Sequence, residues 1–178
     1  NLSYSIMCNG ELVLAPSQIG LKIHSGVAIG ESVKVKRVKR TTVNTTIPTK
    51  FYFRDEIKDH YNALRIDFAQ NYAVEFRAYD EGVAYRLLLN QKQDVVDILG
   101  EECTINFADD FKAHMSTTWK FRTGCEAPYK HTTTKNYGYR DEMAYMPLLL
   151  EAPTGEKILF SDANVIDYPR IFLRSTGE

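Results

Sequence analysis

The sequence has few cysteines, almost no net charge and no long hydrophobic run. Its three cysteines, Cys8, Cys103 and Cys125, form no CxxC pair, so we expect three buried thiols, with one disulfide plus a free thiol as the alternative. A net charge of −1 argues against a general attraction to nucleic acid or to an anionic membrane. The longest apolar run, Met143–Leu150, contains Pro147 and is far too short to span a bilayer. Nucleic-acid binding and a membrane span are therefore not expected.

Motifs of nucleophilic catalysis and of zinc binding are also missing. The sequence has no GxSxG, no glycine-rich phosphate loop and no paired cysteine–histidine signature. No two of its four histidines have the i,i+2 or i,i+4 spacing that would direct both rings at one ion. The four are His24, His60, His114 and His131. We therefore predict no zinc site and no catalytic residue within this chain.

Hydrophobic residues are nonetheless abundant. They make up 44% of the 178 residues, and aromatic residues make up 12%, which is enough to bury a substantial core and argues against disorder. A chain of this length is typical of one domain. Because the sequence contains no internal repeat and no low-complexity tract, we predict that residues 1–178 form a single domain.

Alternation of apolar and polar residues is the dominant pattern. Residues 4–8 alternate in this way up to Asn9-Gly10, a dipeptide typical of tight hairpin turns. Ala63–Ala69 also has the period of a half-buried strand. The best candidate for a short helix is Asp55–Leu64. Short strands separated by frequent turns predict an all-β fold, an antiparallel β-sandwich with few or no helices.

A basic run lies in the first third of the chain. The sequence VKVKRVKR at Val33–Arg40 concentrates lysine and arginine over a short distance. A polyanion site is one interpretation. A solvated edge strand, whose lysines prevent edge-to-edge pairing with other chains, is the interpretation we favour, since the whole chain is nearly neutral.

Aromatic residues among polar ones mark a candidate sugar-binding segment. Between Trp119 and Tyr139 the chain holds several aromatic rings among Lys, Thr, Gly and Asn, and the candidates for substrate contact are Trp119, Tyr137 and Tyr139. The apolar face of a sugar can lie on such a ring while neighbouring polar groups bind its hydroxyls. The alternative, which we favour, is a loop that packs its aromatic residues into the sandwich.

Carboxylates cluster after a predicted strand near the end of the chain. Asp162 lies in the sequence LFSDANVIDYP, with Asn164 and Asp167 close behind it. Oxygen ligands of this kind suit calcium, a hard cation. Because no EF-hand spacing is present, a turn or capping role for Asp162 is favoured when the local motif is considered alone.

The segment FRAYDEGVAYR predicts a β-hairpin with an arginine on each arm. A two-residue turn would place Arg77 opposite Arg86, which like charges disfavour. A three-residue loop, with Gly82 at positive φ, instead pairs Arg77 with Tyr85 and Phe76 with Arg86, so that each guanidinium lies over a ring. Each arginine still needs a carboxylate or carbonyl partner if it is buried. We predict a hairpin whose arginines are satisfied internally and need no ligand.

The same segment resembles a motif of a known family. FRAYDEGVAYR is similar to the FRAY-(D/N)-DG-VA-(F/Y)-R motif in the N-terminal β-sandwich domain of glycoside hydrolase family 97, a family of bacterial α-glucosidases and α-galactosidases. Three other segments resemble this domain in the same order: LSYSIMCNGELVLAPSQIGL, HYNALRIDF and SDANVIDYPRIFL. The resemblance extends over nearly the whole chain and is loose only over about residues 100–141. The chain is therefore identified as a member of that family.

The resemblance implies a supersandwich, similar to galactose mutarotase, that packs on a catalytic (β/α)₈ barrel. The family's catalytic carboxylates lie on the barrel, which needs about 250 residues and would follow residue 178. This chain alone is therefore not expected to turn over substrate. The family includes retaining and inverting members, and the 178 residues favour neither, nor do they favour glucosides over galactosides.

The resemblance also implies a shared calcium site. In the family, calcium is held by barrel glutamates and by one glutamate of the N-terminal sandwich. The matching position here is Asp162, which is one methylene shorter. The flexible oxygen shell of calcium accepts either carboxylate, and the shorter side chain requires a closer backbone or a bridging water unless the contact is lost.

We therefore expect the N-terminal domain of a calcium-dependent, exo-acting α-glycosidase. It would pack on its own catalytic barrel and help to close the pocket for an oligosaccharide. Export to the periplasm or the outer membrane of a Bacteroides-like bacterium is expected, through a leader that precedes Asn1. The alternative is a free-standing carbohydrate-binding module that uses the aromatic residues between Trp119 and Tyr139.

Overall fold

The computed structural model describes residues 1–24, 26, 28–90, 95–138 and 141–176. Within these ranges the regular structure consists of antiparallel strands, and no α-helix occurs. The strands are β1 (Ser3–Cys8), β2 (Glu11–Ile23), β3 (Ala28–Ile29), β4 (Val35–Pro48), β5 (Glu56–Phe68), β6 (Tyr72–Ala78), β7 (Val83–Leu89), β8 (Ile98–Cys103), β9 (Lys112–Thr118), β10 (Lys130–Thr133), β11 (Met143–Glu151), β12 (Lys157–Phe160) and β13 (Phe172–Arg174).

The contacts divide the chain into two compact units. Unit 1 comprises Asn1–Tyr4 and Ser17–Thr104, and unit 2 comprises Ser5–Pro16 and Ile105–Glu178. Strands β1 and β2 therefore contribute residues to both units. The prediction of a single domain for residues 1–178 stays a prediction.

Unit 1 is built from two sheets that enclose one core. One sheet has the strand order β4-β5-β6-β7, and the other is formed by β2 with its neighbours β3 and β8. Residues of β2, β3, β5 and β6 alternate inward and share a buried cluster. The cluster is Ile19, Leu21, Ile23, Ile29, Phe68, Tyr72 and Val74. The all-β antiparallel sandwich predicted from the sequence is confirmed.

A close backbone approach fixes β2 and β3 in unit 1. A Cβ added at Gly30 would lie 2.4 Å from the carbonyl oxygen of Ile19, and Gly30 has a φ of +95°. Its N–H donates to the phenol oxygen of Tyr72 at 3.1 Å. Tyr72 is fully buried and stacks on Phe68, with 4.7 Å between ring centroids. The buried phenol therefore has a hydrogen-bond partner. Only glycine fits at position 30, because a side chain there would collide with the Ile19 carbonyl.

Unit 2 has a five-stranded sheet with its own core. The order is β10-β9-β11-β12, and β13 pairs with the first part of β11. The core-facing residues of β9 and β11 alternate along each strand, and several residues between them are buried as well. The cluster is Phe111, Ala113, Met115, Ala144, Met146, Leu148 and Leu150.

Two local predictions are confirmed. The turn between β1 and β2 has positive φ at both Asn9 (51°) and Gly10 (86°), as a tight hairpin turn requires. The basic run lies largely on β4, which is the end strand of its sheet and is exposed along most of its length. An edge strand that carries lysines is the interpretation favoured from the sequence.

The helix considered for Asp55–Leu64 is wrong. These residues lie almost entirely in β5, which pairs with β4 over its whole length, from Pro48↔Glu56 to Val35↔Phe68. The local propensity of a mixed polar segment is weak, and the long β4 ladder with its many β-branched residues overrides it.

The predicted register of the FRAYDEGVAYR hairpin is also wrong. Strands β6 and β7 pair Arg77 with Ala84, Phe76 with Tyr85 and Glu75 with Arg86. The loop has four residues, in which the Tyr79 N–H donates to the Gly82 carbonyl, and Gly82 does not have positive φ.

The expectation that Arg77 and Arg86 find partners within the protein is confirmed, and the shared partner is Glu75. Glu75 Oε1 accepts from Arg77 and from Arg86, each at 3.1 Å. The guanidinium of Arg77 also lies over the ring of Tyr61, with 4.5 Å between Cζ and the ring centroid. The hairpin therefore satisfies its own charges, because one carboxylate, placed two residues before Arg77, serves both.

The expectation of three buried thiols is wrong for two of them. Cys8 and Cys125 are exposed. Cys8 ends β1 beside the Asn9-Gly10 turn, and Cys125 lies in a loop with a φ of 55°. Only Cys103 is partly buried, with its Sγ 3.3 Å from the Tyr85 hydroxyl, and burial raises its pKa. All three cysteines are free, so the alternative of one disulfide plus a free thiol is not what the structure shows.

Candidate functional site

The loop between β12 and β13 carries the predicted metal ligand. We refer to Ser161–Arg170 as the DYP loop. It contains no strand, and Asn164 and Asp167 adopt left-handed backbone conformations with φ of 54° and 53°. The Ile166 N–H donates to the Asn164 carbonyl at 2.9 Å, which makes a tight turn. Asn and Asp tolerate such conformations better than other non-glycine residues, so the local sequence favours this irregular loop.

Asp162 lies at the base of this loop. Its Oδ2 accepts the backbone N–H of Ile171 at 3.3 Å, so the carboxylate joins the two ends of the loop. The residue is partly exposed, and none of the ion pairs found among the described residues involves it. This hydrogen bond is the turn-stabilising role considered from the sequence. It is compatible with a metal contact, since a carboxylate has about four lone-pair positions.

The donor set around Asp162 is incomplete among the described residues. In the described ranges no group of three or more His, Cys, Asp or Glu side chains is placed to hold a metal ion. Calcium takes six to eight oxygen ligands. Asp162 therefore fits calcium as one contributed ligand, and the remaining ligands would have to come from outside these residues.

Apolar side chains are exposed on the same loop. Val165, Ile166 and Tyr168 have relative exposures of 37%, 71% and 37%. Large apolar groups grouped on one loop are typical of a surface that another surface covers.

A second exposed apolar group lies at the tip of the β4–β5 hairpin. Strand β6 pairs with β5 only between Asn62 and Asp67, so the outer part of the hairpin is two-stranded. Its loop exposes Phe51 almost completely and Phe53 by 76%. Phe53 contacts its neighbours Tyr52 and Arg54 in the same loop, and both Phe51 and Phe53 stay largely exposed.

Trp119, one of the predicted sugar-contacting residues, is exposed but already has a partner. Its side chain is 62% exposed just after β9, and Lys130 Nζ lies 5.3 Å from its ring centroid. Lys130 also forms an ion pair with Glu142. One face of the indole is therefore occupied by a cation, which reduces its value as a platform for a sugar.

Glu142, the residue before β11, anchors this arrangement. It is buried and accepts hydrogen bonds from Lys130 Nζ and, at 2.5 Å, from Thr117 Oγ1. Burial alone would raise the pKa of Glu142, but the bonds from Lys130 and Thr117 outweigh it and hold the pKa below its usual value. An ionised Glu142 therefore holds Lys130 in place near Trp119.

The other two aromatic candidates have different positions. Tyr137 is largely buried and packs against the unit 2 core, where burial and then the charge of Glu142 raise its pKa to about 12. Its position agrees with the alternative of a loop packed into the sandwich. Tyr139 lies outside the described residues. A role of Trp119, Tyr137 or Tyr139 in substrate binding stays a prediction.

Two histidines that are far apart in the sequence are in contact in the structure. His114 on β9 is directly opposite His131 on β10, and their Nδ1 atoms are 2.6 Å apart. The spacing rules applied to the sequence cover ligands on one helix or strand, whereas this pair is created by the register of two strands. Only a correct prediction of that register could have found it.

Comparison with known proteins identifies a family. The family model described as Glycosyl-hydrolase 97 N-terminal matches residues 1–178. A retaining alpha-galactosidase from Bacteroides thetaiotaomicron is 30% identical over 186 aligned residues, which cover 98% of this chain and 28% of that protein. The chain thus spans little more than a quarter of the length of this curated relative.

Solved structures share the fold. A glycoside hydrolase family 97 enzyme from Pseudoalteromonas sp. strain K8, in complex with acarbose, superposes with a TM-score of 0.83 at 20% identity, covering 97% of this chain and 27% of that one. A beta-arabinopyranosidase superposes with a TM-score of 0.76 at 17% identity, covering 88% and 27%. In the described part of this chain no helix is long and apolar enough to cross a membrane.

Proposed function

Since the chain belongs to the family of N-terminal domains of glycoside hydrolase family 97, we propose that it serves an exo-acting α-glycosidase by packing on its catalytic barrel. The domain would help to close the sugar pocket of an enzyme that hydrolyses α-glucosides or α-galactosides. The match over residues 1–178 carries this proposal. The lengths of the relatives support it, because each is three to four times longer than the matched region.

The exposed apolar residues support the proposal that part of this domain is covered by another domain in the intact enzyme. The DYP loop exposes Ile166 and Tyr168, and the tip of the β4–β5 hairpin exposes Phe51 and Phe53. Burying such side chains is favourable by about 25 cal/mol per Å² of apolar area. We propose that the DYP loop lies against the catalytic barrel of the intact enzyme, where its apolar residues would be buried.

Asp162 is proposed as the calcium ligand that this domain contributes. Its carboxylate is partly exposed, is held in position by the Ile171 N–H and carries no ion pair among the described residues. Calcium, when bound, would hold the substrate and polarise the glycosidic centre. The contribution of this chain would be to position one oxygen donor and, through Ile166 and Tyr168, to exclude water around it.

Calcium affinity tests this proposal in the intact enzyme. Asp162→Ala should lower the affinity at least tenfold, and Asp162→Glu should retain most of it, since calcium accepts either carboxylate. Asp167→Asn is the matched control on the same loop and should leave the affinity unchanged. Equal affinities in the wild type and in Asp162→Ala would refute the metal assignment.

The location of the enzyme is a further part of the proposal. We propose export to the periplasm or to the outer membrane, where the enzyme would encounter its oligosaccharide substrate. Cell fractionation of the native host, followed by immunodetection of the intact protein, tests it. Recovery in the cytoplasmic fraction alone would contradict it.

A free-standing carbohydrate-binding module is the second candidate. The exposure of Trp119 favours it, while the position of Lys130 over the indole opposes it. Oligosaccharide titration separates the two functions. Binding that is lost in Trp119→Ala, in a protein whose reading frame ends soon after residue 178, would favour the module.

A further inference from the structure

We propose that His114 and His131 form a binding site for a divalent first-row transition metal ion such as Cu²⁺ or Zn²⁺. The two rings project from neighbouring strands of unit 2 and approach each other through Nδ1, at a distance of 2.6 Å. This site is separate from the calcium contact proposed for Asp162, because imidazole nitrogen is a ligand for transition metals and not for calcium.

The strand register places both histidines on the sheet face opposite the core. On β9, Ala113 and Met115 are fully buried in the core, so His114 between them points the other way. Four residues lie in one row across the sheet, each directly opposite the next. The row is His131 on β10, His114 on β9, Leu149 on β11 and Leu159 on β12.

An open concavity lies over this row. It has a volume of about 430 Å³ and is lined by the two histidines, Leu149 and Leu159, together with Tyr129 and Pro147. Its walls are mostly apolar, and the two imidazole rings are part of its lining. An ion bound between the rings would have room in the concavity for water ligands, which complete the coordination of a site that has few protein ligands.

The geometry of the rings is close to that of a chelate. The ring planes are inclined by 70°, with 4.9 Å between their centroids. Zinc and copper bind imidazole nitrogen at about 2.0–2.1 Å, so two ligands at a tetrahedral angle are about 3.3 Å apart. Opening the Nδ1–Nδ1 distance by less than about 1 Å, through rotation of the exposed His131 ring, would admit the ion.

The charged residues near the two histidines form an ion pair with each other. Glu151, two residues beyond Leu149 on β11, forms an ion pair with Lys112 at 3.0 Å. That contact, followed by weaker attraction to Lys157 and His114, lowers the pKa of Glu151. Glu151 is therefore engaged with Lys112 and is not counted among the ligands of the site.

Copper titration of the intact protein, with calcium present throughout, tests the proposal. Wild-type protein should bind Cu²⁺ more tightly than Zn²⁺ or Ni²⁺, following the general order of affinities, and its electron paramagnetic resonance spectrum should show two nitrogen ligands. His114→Ala and His131→Ala should each weaken this binding at least tenfold and reduce the nitrogen ligands to one. His24→Ala and His60→Ala are the controls, because both residues are exposed in unit 1, and neither should change it.

Folding of the variants is checked by far-ultraviolet circular dichroism and by thermal unfolding. Both histidines are at least partly exposed, so neither alanine variant should lose the fold. His131→Gln provides a second test, since it keeps a polar side chain of similar size but removes the imidazole. Copper affinity and nitrogen coordination unchanged in folded His131→Ala and His131→Gln would overturn the proposal.

Discussion

The FRAYDEGVAYR hairpin and the DYP loop are the two most recognisable segments of the chain, and their structures are opposite. In the hairpin, Glu75 binds both Arg77 and Arg86, and every residue from Tyr72 to Ala78 is paired with β7. The DYP loop has no strand, and the Asp162 carboxylate accepts the backbone N–H of Ile171 without an ion pair among the described residues. A charged motif whose groups bind one another stabilises the fold, whereas one whose groups are exposed is available to a partner.

This difference separates residues that determine stability from residues that determine function. Substitutions in the first group should lower the free energy of unfolding with little specific effect on ligand binding. Substitutions in the second group should weaken ligand binding with little effect on the free energy of unfolding. The following predictions test that division, from the largest expected effect to the smallest.

Gly30→Ala should have the largest effect on stability. The new Cβ would lie 2.4 Å from the Ile19 carbonyl oxygen at a φ of +95°, so the backbone of β2 or β3 would have to move. We expect a loss of about 3 kcal/mol or more in the free energy of unfolding, measured by urea denaturation. Gly155→Ala, which also has positive φ but open space around it, is the control and should cost only about 1 kcal/mol. Similar losses in both variants would contradict the role of close backbone approach.

Glu75→Ala should destabilise the hairpin. Both arginines would lose their carboxylate, and Glu75 is largely shielded from solvent while the arginines are not. We expect a loss of about 2 kcal/mol, with no change in calcium affinity. Glu81→Ala, on the exposed loop of the same hairpin, should change stability by less than about 0.5 kcal/mol. A stability equal to that of the wild type would show that the arginines need no internal partner.

Glu142→Gln should destabilise unit 2 in a pH-dependent way. The folded-state pKa of Glu142 is held below its unfolded value, so its ionised form stabilises the fold above that value and the contribution is lost as the pH falls through the folded pKa. We expect a loss of about 1–2 kcal/mol at pH 7, when the charged hydrogen bonds from Lys130 and Thr117 are weakened. Unfolding measured from pH 7 to pH 3 should show the two proteins converging in the acid range. A constant difference across this range would contradict the assignment.

Tyr72→Phe should have a smaller effect. The substitution leaves the Gly30 N–H without its phenol acceptor while the ring and its stacking on Phe68 are kept. We expect a loss of about 1–2 kcal/mol in thermal or chemical unfolding. Tyr61→Phe, on a partly exposed ring, is the matched control and should be nearly neutral. Equal effects would indicate that the buried phenol contributes nothing specific.

Much of the fold follows from local sequence patterns. Asn9-Gly10 specifies a turn because both residues adopt positive φ readily, and the alternation in Ala63–Ala69 marks one inward face of β5. These features depend on residues close in sequence. The helix considered for Asp55–Leu64 failed because its conformation is decided by a ladder to β4, which no local pattern contains.

The candidate sites were less accessible to prediction. Arg77 and Arg86 share Glu75 because the hairpin loop has four residues instead of three, a difference that shifts every cross-strand pair. The contact between His114 and His131 likewise depends on the register of β9 and β10. Asp162 was found through its motif, and its position on an exposed loop depends on how β12 and β13 both pair with β11.

The most direct test of the division between the two segments is thermal unfolding of the intact enzyme with and without calcium. A ligand that binds only the folded state raises the midpoint, by about 2.7 kcal/mol of stabilisation at a hundredfold excess over its dissociation constant. The wild type and Glu75→Ala should both show a calcium-dependent rise, although Glu75→Ala starts from a lower midpoint. Asp162→Ala should start near the wild-type midpoint and show little or no rise. A full calcium-dependent rise in Asp162→Ala would contradict the assignment of function to the DYP loop.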